Sequence, residues 1–134
     1  ALNYAISKNV VVVAAAGNEN RQISDAARVE PAGLGKDLNG MITVGSLDTS
    51  TGQKSLFSNH SPVFVEMMAP GAVRSSAVAS QNIGLLSTFW SRAARTYERL
   101  PGTSMSAPLV AGAAALVIGK YRQQNATYTN AQIE

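Results

Sequence analysis

The sequence predicts an α/β layered fold with a largely parallel sheet, and three observations carry that expectation. Val10–Val13, a row of β-branched residues followed by Ala14–Ala16 and Gly17, suits a strand buried on both faces and ending in a tight loop. Leu109–Leu116 is almost entirely small and apolar, the composition of a helix that other elements approach closely. Between the two, strand-length apolar segments alternate loosely with helical ones, which favours layers around a parallel sheet.

The elements follow in order. Leu2, Ala5 and Ile6 recur at helical spacing, so residues 1–8 read as an amphipathic helix that begins without a cap. A strand is expected at 10–15. Residues 19–40 hold Pro31, Gly33, Gly35 and Gly40 with few large apolar side chains and read as a surface loop. Further strands are expected at 41–46, near 63–67 and at 83–88, the last followed by an irregular insertion. A long helix is expected from about 104 to 122. A last helix starts near 130, where Thr129 and Gln132 stand at capping-box spacing.

Composition sets bounds on function. A chain of 134 residues, 46% hydrophobic and 14% charged, suits one globular domain with a core of its own. The absence of cysteine excludes a disulfide framework and thiol chemistry. No apolar run approaches the roughly 18–20 residues that span a bilayer. The net charge of +3 comes from 11 basic and 8 acidic residues, mostly scattered. Their one concentration, Arg92, Arg95 and Arg99 interleaved with Trp90 and Tyr97, reads as a solvated helix or loop flank rather than a nucleic-acid surface.

The chemistry is concentrated in Gly102-Thr103-Ser104-Met105-Ser106-Ala107-Pro108. A glycine and a threonine bring the backbone round a turn, and Ser104 falls in the first helical residues. Its hydroxyl is thereby exposed on a rigid support. Asn18 closes the valine strand, where open α/β sheets place their ligands. Taken alone, Ser104 could be an N-cap and Asn18 a turn former.

The serine segment resembles the nucleophile motif of the subtilisin-like serine proteases, and the Val10–Glu19 block resembles the strand of that family whose terminal asparagine serves the oxyanion hole. Met41–Asp48, Phe57-Ser58-Asn59 and Met68-Ala69-Pro70-Gly71 resemble further family segments in the same order. Two positions depart from the pattern: Leu109, where histidine is common, and Pro101, where asparagine is common. The resemblance implies a subtilisin-like three-layer fold, incomplete in this chain, with Ser104 as nucleophile and Asn18 as oxyanion donor. It further implies that Ala15, Ala16, Gly17 and Thr103 lie at the substrate, with the Pro31 neighbourhood forming another wall.

This chemistry needs a histidine to accept the serine proton and a carboxylate to orient that histidine. His60, the single histidine, sits in a polar turn and is expected to be satisfied by solvent. The family pattern places its own histidine and aspartate ahead of the valine strand. Residues 1–134 are therefore expected to be the C-terminal fragment of one peptidase domain, cut within helices at both ends and inactive alone. The expected partners are protein or peptide substrates, the remaining N-terminal part of the domain, and a second copy through self-association. Nucleic acid and a membrane span are not expected. No cofactor or metal is expected in this segment, since Asp25, Asp37 and Asp48 do not cluster; structural calcium in the parent is an implication of the family. The family likewise implies a secreted or cell-surface location. An interaction module on a protease-like scaffold is the alternative.

Overall fold

The computed structural model describes residues 1–90 and 95–134, and of Arg95 only the backbone. Its centre is the eight-residue strand β2 (Met41–Asp48), buried along nearly its whole length. Strand β1 (Val12–Ala15) pairs with it in parallel from Val12↔Met41 to Ala15↔Val44. Strand β4 (Met67–Ala72) is also parallel to β2, and the two-residue β3 (Gln53–Lys54) pairs antiparallel at its end. A parallel centre of this kind needs cover on both faces.

The alternation of side chains along β2 separates the two faces. Ile42 and Val44 join Ala69 and Val110 in one buried cluster, flanked by Val11 and Val13. This is the face covered by helix α2 (Thr103–Gln123), which contacts β1, β2 and β4. Thr43 points the other way and donates its hydroxyl to the Ala32 carbonyl at 2.9 Å. A second cluster of Ala16, Ile23, Ala32 and Phe64 forms there. The segment read as a surface loop therefore has a packed interior, including a 3-10 turn at Ala32–Asp37. Arg28 and Lys36 fasten its outer side to Asp25 and Asp37.

The chain ends meet each other. Helix α1 spans Leu2–Ser7, and helix α3 spans Asn130–Ile133 with the Thr129/Gln132 capping box formed. Asn9 donates to the Tyr128 carbonyl at 2.9 Å, and Asn130 donates to the Ile6 carbonyl at 2.9 Å.

Three expectations about elements are corrected. The strand expected near 63–67 begins only at Met67 and runs through Met68-Ala69-Pro70-Gly71, because pairing with β2 starts there. Val63 is exposed, whereas Phe64 plugs the loop cluster. Pro70 is tolerated within β4 beside a register shift at Leu47/Asp48, the kind of irregularity where a missing N–H does least harm. The strand expected at 83–88 is present as β5 (Leu85–Trp90), but the irregular insertion after it contains a second strand, β6 (Arg95–Leu100), and the two form an antiparallel ribbon paired from Leu85↔Leu100 to Trp90↔Arg95. Trp90, Tyr97 and Arg99 thus stand on strands rather than a helix or loop flank. Arg92 and the side chain of Arg95 lie outside the described residues.

The third correction concerns apolar length. Helix α2 has 21 residues and a mean hydropathy of 1.3 in its most apolar stretch, enough by length and composition to cross a membrane. Its buried residues Thr103, Ser106, Val110 and Ala114 recur every three or four positions and face the sheet, as in a core helix. The opposite side is open: Leu109, Leu116 and Val117 are exposed.

Candidate active site

The candidate site forms where the loop after β1 meets the start of α2. Gly17 adopts φ +100°, a left-handed conformation that suits glycine and turns the chain sharply after Ala16. Gly102, before the helix, has φ 152° and ψ 159°, a region essentially reserved to glycine. A Cβ on Gly102 would stand 3.7 Å from both polar atoms of the Asn18 carboxamide. The two turns therefore lie against each other.

Thr103 joins them. Its backbone N–H donates to Asn18 Oδ1 at 2.9 Å, and its hydroxyl contacts the same oxygen at 3.1 Å. Gly17 N–H donates to Thr103 Oγ1 at 3.2 Å. With Oδ1 held this way, the amide nitrogen of Asn18 is the end left for another acceptor, and it has none among the described residues. Ser104 is the second residue of α2, exposed, and its N–H belongs to the helix-start donors that have no intrahelical acceptor. A hydroxyl, a carboxamide N–H₂ and a free helix N–H are thereby gathered around one helix start, where the dipole also favours negative charge.

The remaining expected residues fall into two groups. Ala15 and Gly17 are half-buried at the end of β1. Ala16 and Thr103 are fully buried, so their side chains serve the interior and the Asn18 turn. The Pro31 neighbourhood reaches this region through Ala32, which packs with Ala16. A cavity of about 300 Å³ adjoins Ser104 and is walled by Leu85, Phe89, Leu100, Met105 and Leu109, with Glu98 its single charged residue. A separate cavity of about 340 Å³ runs from Asn18 to Phe57 and Asn82.

His60 lines neither cavity. It is half-buried and bridged to Gln22, and its Nδ1 is buried with no partner among the described residues, so the expectation that solvent satisfies the ring does not hold for that nitrogen. Asp48 accepts from Ser50 and Ser75. Those bonds, led by the Ser50 hydroxyl, hold its carboxyl well below the usual range. Asp25 and Asp37 are engaged by Arg28 and Lys36, and no group of three His, Cys, Asp or Glu side chains able to hold a metal occurs among the described residues.

Sequence reasoning missed Asn59. Fully buried, its Nδ2 donates to the Ala16 carbonyl at 2.9 Å and to Glu19 Oε2 at 2.6 Å, while Oδ1 accepts from the N–H groups of Glu19 and Arg21, each at 3.1 Å. Nothing local in Phe57-Ser58-Asn59 signals a role in a loop some forty residues earlier.

The chain as a whole has known counterparts. The subtilase family model, Peptidase_S8, matches residues 1–134, and the chain belongs to that family. Subtilisin DY of Bacillus licheniformis is 36% identical over 121 residues, covering 90% of this chain and 37% of its own. Subtilisin E of Bacillus subtilis is 36% identical over 132 residues, 98% of this chain and 28% of its own. Among solved structures, a cold-adapted subtilisin-like serine proteinase superimposes with TM-score 0.66 at 34% identity over 98% of this chain and 38% of its own. A lanthipeptide protease gives TM-score 0.77 at 27% identity, over 98% and 43%. The chain thus spans about a third of the length of its subtilisin relatives, and its fold is the corresponding part of the subtilisin-like fold.

Proposed function

We propose that this segment supplies the nucleophile and the oxyanion hole of a subtilisin-like serine endopeptidase. Ser104 Oγ attacks the scissile carbonyl of a protein or peptide after a histidine from the rest of the domain removes its proton. The Asn18 amide and the Ser104 N–H receive the developing oxyanion, the leaving amine departs, and water releases the acyl-enzyme. The observation that carries this reading is the Asn18–Thr103 clasp, which sets the carboxamide beside the residue preceding Ser104. Ala15 and Gly17 border the acyl side, with Ala16 and Thr103 acting from beneath. No cofactor from this segment enters the chemistry.

The catalytic histidine and aspartate reside in the remainder of the domain, so residues 1–134 alone are inactive. The open apolar side of α2 and the groove of about 620 Å³ between α2 and β1 support packing of that remainder here. The solved relatives likewise devote more than half of their chains to parts with no counterpart in these residues. In this reading α2 is a core helix and the protein acts outside the cell or on its surface, a location that its resemblance to the subtilisins supports.

A fluorophosphonate probe applied to the full-length protein tests the assignment. Covalent labelling that disappears in Ser104→Ala supports it, and labelling that survives the substitution refutes it. A protein that folds and never labels is the interaction module instead.

A further inference from the structure

Asn18 is clasped by Thr103 on the helix side, and a second clasp holds its loop from beneath. The Asn59 side chain has two amide hydrogens and two carbonyl lone pairs. All four find partners in residues flanking Asn18: the Ala16 carbonyl, the Glu19 carboxylate, and the N–H groups of Glu19 and Arg21. Its backbone N–H adds a bond to the Gly17 carbonyl at 3.0 Å. Gly17 leaves no room for more, because a Cβ there would collide with Asn59 Nδ2 and stand 2.8 Å from Glu19 Oε2. Asn59 makes no bond to Asn18 itself among the described residues.

We infer that Asn59 is a positioning residue for the oxyanion hole, fixing the loop from Ala16 to Arg21 so that the Asn18 amide is preorganised without Asn59 touching substrate. The inference rests on the role proposed for Asn18. Electrostatic stabilisation depends on donors being in place before charge develops, so a loosened loop weakens transition-state binding more than ground-state binding. Glu19 is consistent with a permanent clasp: the Asn59 amide is the largest influence holding its carboxyl below the ordinary range, against the opposing effect of burial. Burial of a fully bonded amide also makes the arrangement specific, since few other side chains supply two donors and two acceptors in one plane.

A double-mutant cycle in the full-length protein tests this, read as kcat and KM on a peptide substrate. Asn59→Ala is expected to lower kcat about tenfold, with KM within about twofold, as a small misplacement of one donor should. In an Asn18→Ala background the same change is expected to leave kcat unaltered, because the group it positions is gone. Equal losses in both backgrounds would show a general structural role and overturn the inference while the oxyanion reading stands. A silent Asn18→Ala would overturn both. Asn59→Asp guards against loss of folding, since it keeps the shape and the two accepted bonds but sets a carboxylate oxygen against both Glu19 and the Ala16 carbonyl. Adding Glu19→Gln supplies a donor to that carboxylate while leaving the Ala16 carbonyl unmet, and is expected to recover part of the lost kcat; no recovery counts against the positioning role.

Discussion

The two ends of helix α2 are built on opposite terms. At its start, Thr103 and Ser106 are fully buried, Thr103 holds the Asn18 turn, and the Gly102 N–H is anchored to the Gly71 carbonyl at 2.9 Å. Two turns further on, a single stripe faces the sheet while Leu116 is 78% exposed. The start is therefore held by contacts within these residues, whereas the later turns leave an apolar side exposed. A site of this kind can be rigid at the reacting atoms even where the surrounding layer is supplied by other parts of the protein.

The largest effect should come from crowding the well-built end. Gly71→Ala would drive a methyl into the Ser46 and Ser106 hydroxyls and to 2.7 Å from the Gly102 carbonyl. Overpacking against backbone is expected to cost about 3 kcal/mol, read as a lower urea midpoint with an unchanged m-value. An unaltered midpoint would mean that β4 and the helix start are not in fixed contact.

Thr103→Val should follow, at about 1–3 kcal/mol, because it strands the Gly17 N–H and removes one of the contacts to Asn18. It should also lower kcat in the full-length protein.

Acid titration gives the next contrast. The Asp48 carboxyl is depressed, so its contribution is present above its unfolded value and is lost as pH falls through the folded one. Asp48→Asn should flatten the acid limb of stability against pH. Glu66 has the reverse sign: its carboxylate is tucked against the Thr43 N–H at 2.6 Å, and burial, the leading cause, raises its pKa. Glu66 therefore contributes stability that is present below its unfolded value and is lost as pH rises through the folded one, and Glu66→Gln should remove that dependence. A Glu66→Gln curve that still falls across this window would show that the carboxylate is not the titrating group.

The smallest effect in isolation belongs to the open side. Leu116→Lys should change the stability of the isolated segment by no more than about 0.5 kcal/mol while reducing its self-association in sedimentation. The same change in the full-length protein should be destabilising by about 2 kcal/mol or more if other parts of the domain cover it. Equal small effects in both would mean that this side faces solvent throughout.

Much of the centre was legible because its patterns are local. The run Val10–Val13, the apolar stretch of β2 and the small-residue helix each declare themselves within a dozen residues, and Ser104 and Asn18 lie at their ends. What was not legible depends on pairing. Val63–Val65 has the look of a strand, yet β4 is placed by its hydrogen bonds to β2 and begins after it. Residues 95–100 were read as part of an irregular insertion, and their strand character comes from pairing with β5. Asn59 was read as part of a turn because its partners come from the other end of a long loop.

All three parallel strands deliver their following loops to one edge of the sheet: Asn18 after β1, the Asp48 turn after β2, and the β5–β6 ribbon after β4. The ribbon walls the cavity beside Ser104 yet, among the described residues, contributes nothing to the clasp that holds Asn18. In the proposed reading, changes in its length or side chains redraw what is grasped beside Ser104 while the hold on the reacting carbonyl stays with the Asn18 turn, so preference and chemistry are carried by separate pieces of chain.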